Sequence, residues 1–191
     1  MFTNNFIKYQ EIIFNGTHDC RNFVDCGGNT SAKCYIEHSC FGNIGVAIRN
    51  AYCKAQTANT SVSNQNSAKL SPGVYFGTGS TQATRDDYKL ENPITSGLTI
   101  INPGIKSVNG FTKFPIEKQD GRYTYAIPFA VENTTESEIV IREIGLFGEV
   151  GTETVAYHVL FERTVLSEPI TIAPGEIKLV TYKLTFNQSV S

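Results

Sequence analysis

Hydrophobic positions along this chain fall into two regimes. From Pro72 onward they recur with a period of two, in short runs. Tyr123, Tyr125, Ile127, Phe129 and Val131 alternate with Thr124, Ala126, Pro128 and Ala130. That is the pattern of a strand with one buried face, because successive side chains of an extended chain point to opposite sides. Val155, Tyr157, Val159 and Phe161 repeat it, and so do Val180, Tyr182, Leu184 and Phe186. Ile139, Ile141, Ile144 and Leu146 supply another strand, whose change of phase around Arg142 and Glu143 hints at a bulge. Pro128 has no N–H to give to a ladder, which predicts an edge strand or a bulge at that point. Pro169-Ile-Thr-Ile172 runs into Ala173-Pro174-Gly175-Glu176. There Pro presets φ and Gly accepts a positive φ, so a tight turn should lead into the last strand. Short strands punctuated by turn residues, with no long helical stripe among them, predict a mainly β fold. The expected architecture over 72–191 is an antiparallel β-sandwich of the Ig-like or jelly-roll-like kind.

The second regime lies before Pro72. Phe2, Phe6, Tyr9 and Ile13 stand four, three and four residues apart, the stripe of an amphipathic helix, while Ile12-Ile13-Phe14 would serve a strand equally well. Residues 15–40 are rich in Gly, Asn and Cys and predict loops or a hairpin. Residues 55–71 are small and polar, the composition of a flexible loop. The expected organisation is therefore an N-terminal helix or arm with a Cys-rich loop region over 1–54, a flexible loop over 55–71 and the sandwich domain over 72–191.

Composition narrows the function classes. The chain has 191 residues, enough for one domain with or without a small appendage, and 16 Lys and Arg against 18 Asp and Glu give 16 − 18 = −2. Near-neutral charge argues against a nucleic-acid binder, whose affinity would rest on clustered cations meeting phosphates. The opening MFTNNFIKYQEIIFNG lacks the unbroken apolar stretch of a secretory signal. Other apolar runs fall far below the roughly 20 residues of a membrane span. The chain is thus expected neither to export nor to insert itself, and its thiols to stay reduced in a cytosol. The N-x-S/T triplets at Asn15, Asn29, Asn59, Asn133 and Asn187 would matter only in a secreted eukaryotic protein.

Candidate chemistry is concentrated at the start. Cys20, Cys26, Cys34, Cys40 and Cys53 are the 5 cysteines, an odd number that cannot be fully paired within one chain. His18-Asp-Cys20 and His38-Ser-Cys40 repeat an H-x-C unit with Cys26 and Cys34 between them. Zinc sites usually begin with two ligands two to four residues apart, and no C-x-x-C occurs here. Zinc, one or more disulfides, and buried thiols packing as small hydrophobes are the three readings, with the last favoured. His158 stands out of phase with Tyr157 and Val159 and is expected at the surface. There is no G-x-S-x-G nucleophile elbow, and no carboxylate pair is singled out by spacing. Gly77-Thr-Gly79 lacks a third glycine and a following helix, so it reads as a strand end and turn. No catalytic, cofactor-binding or metal residue, and no cofactor, is expected. Polar alternation and exposed strand edges suggest instead a binding or assembly role, since open edges must be covered, charged or used.

One stretch is familiar. GVYFGTGSTQATRDDYKLENPI (73–94) resembles a segment of structural proteins of tailed bacteriophages, with Gly77-x-Gly79, Asp87-x-x-Leu90 and Pro93-Ile94 as its markers. IVIREIGLFGE (139–149) and LFERTVLSEPITIAPGEIKLVTYKLTF (160–186) look like the remaining strands of that family, and MFTNNFIKYQEIIF like its N-termini. The resemblance implies a non-enzymatic virion component assembled in the bacterial cytoplasm, a homo-oligomer of the neck, portal or tail that contacts portal, neck, tail or capsid proteins. It implies neither nucleic acid nor membrane as a partner, and it carries no catalytic residues over. The Cys-rich region has no counterpart in it. A head-fibre or capsid-decoration protein anchored by its N-terminal segment is the alternative. A host carbohydrate-binding module using Tyr75, Phe76, Tyr88 and Phe111 is the rival from another class.

Overall fold

The computed structural model describes residues 1–15, 22–30, 51–53, 59–61, 73–101, 107–108, 111–112, 116–151 and 155–187. His18, His38, Cys20, Cys34 and Cys40 lie outside the described residues, and with them most of the expected Cys-rich region. The chain is mainly β, with one short helix and mostly antiparallel sheets among the described residues. It divides into two compact units that do not follow chain order: 1–96 with 140–171, and 97–139 with 172–191.

The first unit contains α1 (Asn4–Asn15), β1 (Ala51–Tyr52), β2 (Asn59–Ser61) and β3 (Gly73–Gly77). All but the end residues Ile139 and Ile172 of two long strands complete it: Ile139–Gly151, which becomes β9 in chain order, and Val155–Ile172, which becomes β10. Their sheet runs β1-β3-β9-β10-β2, with β1 parallel to β3. β2 lies within 55–71, where composition predicts a loop. Asn59, Thr60 and Ser61 nevertheless pair with Tyr157, Ala156 and Val155, and the rest of that segment lies outside the described residues.

Both faces of this sheet are covered. On one, α1 lays Phe6 and Tyr9 against Phe161, with ring centroids 5.9 and 5.1 Å apart. The phenylalanine ring reaches so far into Gly148 that a Cβ there would stand 1.8 Å from it. On the other face Cys26, Tyr75, Leu90, Phe147 and Leu160 form a buried cluster. The predicted helix thus forms where the Phe2, Phe6, Tyr9 and Ile13 stripe places it. Its first turn starts at Thr3, whose carbonyl accepts the Phe6 and Ile7 N–H groups. Phe2 bridges to Glu162, the Thr3 N–H donates to the Phe161 carbonyl and the Arg163 N–H to that of Met1, so residues 1–3 border β10 as a short strand. Asn5 does the same work with its side chain, donating to the Val24 carbonyl and accepting the Val24 N–H.

Two-sided burial overturns one expectation and explains another feature. His158 is buried rather than exposed, because the sheet face that alternation assigns to solvent is covered. Against β3 the strand pairs without a break up to Glu143, Gly73–Gly77 with Phe147–Glu143. Ile144 and Leu146 are apolar because their face is buried as well as that of Phe147.

The second unit contains β4 (Leu98–Ile101), β5 (Ser107–Val108), β6 (Phe111–Thr112), β7 (Ile116–Gln119), β8 (Arg122–Asn133) and β11 (Ile177–Asn187). Its sheet runs β11-β8-β4, β7 also pairs with β8, and β5 pairs with β6. Alternation holds here: Ile127, Phe129, Val131, Val180, Tyr182 and Leu184 are buried, while the intervening positions of β11 face solvent. β7 and β8 are joined by Asp120 and Gly121, both at positive φ (49° and 73°), a hairpin turn that Asp-Gly favours. Pro128 is neither at a bulge nor on an outer strand. It pairs with Thr181 on one side, and on the other it falls between the stretches 122–125 and 130–133 that pair with β7 and β4.

The turn at 173–176 forms as expected, with Gly175 at φ 70° and the Glu176 N–H donating to the Ala173 carbonyl. Nearby Asn133 is buried. Its amide donates to the Ser137 and Ile172 carbonyls and accepts from Thr135, so the N-x-T triplet it begins is a structural one.

Tyr9→Ala should lower stability by about 3–5 kcal/mol, the usual cost of emptying a large aromatic site. Chemical denaturation followed by far-UV circular dichroism measures it; a loss below about 1 kcal/mol would mean that α1 does not cover the sheet.

Candidate functional site

Residues 78–92 join β3 to the following segment without a ladder of their own, yet the two ends meet. Gly77 bridges Pro93, the Thr78 N–H donates to the Asn92 carbonyl and the Ile94 N–H to that of Phe76. The result is a closed surface loop. Inside, Asp87 accepts from the Thr84 N–H and hydroxyl, Glu91 accepts from those of Thr81, and the Asn92 amide donates to the Thr78 hydroxyl.

What pins this loop to the sheet is a charge cluster with a buried centre, Arg163 and Glu143, and a rim in which Asp87 is 19% and Glu91 42% exposed. Arg163 on β10 is 3% exposed and Glu143 on β9 is 0% exposed. Arg163 Nε donates to Glu143 Oε2 at 2.7 Å, Nη1 to Asp87 Oδ2 at 2.8 Å, and Nη2 to Glu91 Oε2 at 3.4 Å. One planar guanidinium therefore serves three carboxylates through three separate nitrogens, a spread of donors that a point-like ammonium does not have. Formal charge in the cluster is 1 − 3 = −2, and backbone dipoles offset the excess. The N–H groups of Gly79, Glu91 and Asn92 donate to Glu143 at 3.1, 3.2 and 2.8 Å.

Gly77 and Gly79 are glycines because Glu143 lies against them. A Cβ at either would stand 2.4 or 2.6 Å from Glu143 Oε1. The G-x-G pair is thus a strand end and turn, as its lack of a third glycine suggests, and its spacing makes room for a carboxylate.

Protonation follows the same contacts. Burial works to raise the Asp87 carboxyl, but hydrogen bonds from Arg163 and Thr84 hold it below the ordinary value of 3.8. Hydrogen bonds from Thr81 lower Glu91 from 4.5. Burial opposes charge on Arg163 too, yet Asp87 and Glu143 raise it above its ordinary value. These shifts favour the charged forms of Asp87, Glu91 and Arg163, and the donors and acceptors of the cluster are directed at one another.

Of the residues singled out in the sequence, Cys26 is buried beside Leu90 and Leu160. Burial first, then the Asp25 carboxylate, push its thiol up to about 11, which leaves little nucleophilic or metal-binding thiolate at neutral pH. Cys53 is half-buried. Among the described residues no group of three or more His, Cys, Asp and Glu side chains is placed to hold a metal ion. Tyr75 and Phe76, offered as exposed aromatics for a glycan, are instead buried. Tyr88 is half-buried, and the side chain of Phe111 lies outside the described residues.

Sequence reading passed over Glu143, Arg163 and Glu91. The available signal was a pair of adjacent charged residues interrupting a strand's apolar positions, Ile-Arg-Glu-Ile at 141–144 and Phe-Glu-Arg-Thr at 161–164, which by itself equally describes solvent-facing positions. No family model, curated protein or solved structure matches the chain.

Arg163→Met should cost about 3–5 kcal/mol, since it leaves Glu143 buried without its counter-ion; urea denaturation measures it, and a loss within about 0.5 kcal/mol would mean the cluster is not buried in solution. Acid should also weaken the protein. Asp87 and Glu91 have lowered folded-state pKa values, so the stability they contribute is complete above 3.8 and 4.5 and disappears as pH falls through the folded-state values. The melting temperature of the wild type is expected to hold from neutral pH to the top of that range and to fall below it. A melting temperature that instead rises on acidification would contradict this assignment.

Proposed function

We propose that this chain is a non-enzymatic structural component of a tailed-phage particle. In this reading it folds as an Ig-like or jelly-roll-like sandwich, forms a homo-oligomer in the neck or portal-tail region as a ring or connector, and binds neighbouring portal, neck, tail or capsid proteins. One observation carries the reading. The three stretches that resemble such proteins meet at a single point: the first contributes Gly77, Gly79, Asp87 and Glu91, the second Glu143 and the third Arg163. Gly77, Gly79 and Asp87, which mark the resemblance, are among the residues whose identity the packing requires, as expected if the likeness reflects a shared framework. The polar groups of this cluster are spent on one another, which favours a framework over chemistry.

The carbohydrate-binding alternative loses Tyr75 and Phe76 to the core. Head-fibre anchoring through the N-terminal segment loses its free arm, since Phe6 and Tyr9 are already buried.

Purified particles of a phage encoding this chain should contain it at a fixed copy number, and a density map should place it as a ring at the head-tail junction. Its absence from particles, or its presence only in infected-cell lysate, would overturn the proposal.

A further inference from the structure

The outward face of the β11-β8-β4 sheet is unusually apolar for a surface in contact with water. In register across its three strands lie Ile101, Ala130 and Leu179, and one row further on Ile177 lies beside Glu132. Ile101 is 50% exposed, Ile177 59% and Leu179 67%. A solvated sheet face ordinarily carries polar residues at such positions, and a contiguous exposed apolar patch marks an interaction surface.

Charge on this face is ordered along the strands. Four successive rows read Thr99–Glu132–Ile177, Ile101–Ala130–Leu179, Pro128–Thr181 and Ala126–Lys183. An acidic row and a basic row thus flank the apolar centre at equal steps.

We propose that this face is a two-fold interface with a second copy of the chain. Consider a two-fold axis that crosses the strands between the rows of Ala130 and Pro128. It sets the Ala130 row of each copy on the Pro128 row of the other, and the Glu132 row on the Lys183 row. Each Glu132 then lies one strand away, about 5 Å sideways, from the partner copy's Lys183, and the pairing occurs twice. An axis running along the strands instead lays the Glu132 row on the Glu132 row and the Lys183 row on the Lys183 row, so that like charges are neighbours, which repulsion disfavours. The face is therefore complementary to itself in one orientation, which is what an isologous contact requires. This deepens the homo-oligomer of the proposed function and rests on that reading only for self-association. A two-fold contact closes at two copies, so a ring would need a further, heterologous one.

The test uses the full chain, with mass measured by light scattering on a sizing column and affinity by sedimentation. The wild type should dimerise. Leu179→Glu should weaken dimerisation by at least about tenfold, as should Glu132→Lys or Lys183→Glu alone, while the double exchange Glu132→Lys with Lys183→Glu should recover most of the loss. All four variants sit on the outward face, and an unchanged far-UV circular dichroism spectrum with a cooperative melt verifies that each is folded. A wild type that stays monomeric at the highest soluble concentration overturns the inference, as do a folded Leu179→Glu variant with wild-type affinity and a double exchange that recovers nothing. A monomer that still enters phage particles sinks the interface and leaves the virion role standing. A dimer that Leu179→Glu dissolves, from a protein absent from particles, does the reverse.

Discussion

Glu143 and Arg163 are taken out of water together, and the first unit depends on how fully each is satisfied. Desolvating two such ions costs several kcal/mol apiece, and their mutual attraction offsets this only when the remaining lone pairs and protons also find partners. Here they do, because the partners come from a loop that has no ladder of its own. Glu143 takes three backbone N–H groups from residues 79, 91 and 92, groups that would otherwise need water. Arg163 takes Asp87 and Glu91 from the same loop. The loop gives the ion pair its hydrogen bonds, and the ion pair gives the loop its shape.

That exchange makes the loop and the sheet cooperative. Lifting residues 78–92 would uncover Glu143 and remove Leu90 from its place over Gly145, so local opening carries the cost of exposing a charge network and an apolar contact at once. The N-terminal segment is tied to the same place. Met1 accepts from the Arg163 backbone, and Asn4 bonds both the Arg85 carbonyl and the Asp86 side chain. A buried ion pair is weak evidence for high stability. It is good evidence for specificity, since few other arrangements of this loop would satisfy so many groups.

In the second unit the pattern in the sequence is nearly the pattern in the fold. From Ile127 on β8 and over 180–184 on β11 every second residue is buried, while the others are half-buried on β8 and exposed on β11, so period two was sufficient to find them. The Pro174-Gly175 turn was legible because φ is set by those residues themselves. The Asp-Gly hairpin at 120–121 was equally legible in principle and passed unremarked. In the first unit the same method failed where a strand is covered twice. His158, Glu162 and Arg163 are polar and buried, and no local pattern separates a polar residue facing water from one facing a partner brought from 70 or more residues away. The site was visible only in fragments, as a G-x-G with no evident use and two charges inside apolar runs.

The sequence by itself determined the class of structure: period-two strands after residue 72, the α1 stripe, the turns at Gly and Pro, and a near-neutral surface. These are local properties, written in spacing and in the conformational limits of single residues. Only the tertiary structure decided which polar residues are interior and why two glycines stand at 77 and 79. It also decided that Asp87, Glu91, Glu143 and Arg163 form one cluster. The physical reason is that a charge is tolerated inside a protein only through partners, and here those partners come from three separated stretches of chain, whose meeting no local periodicity encodes.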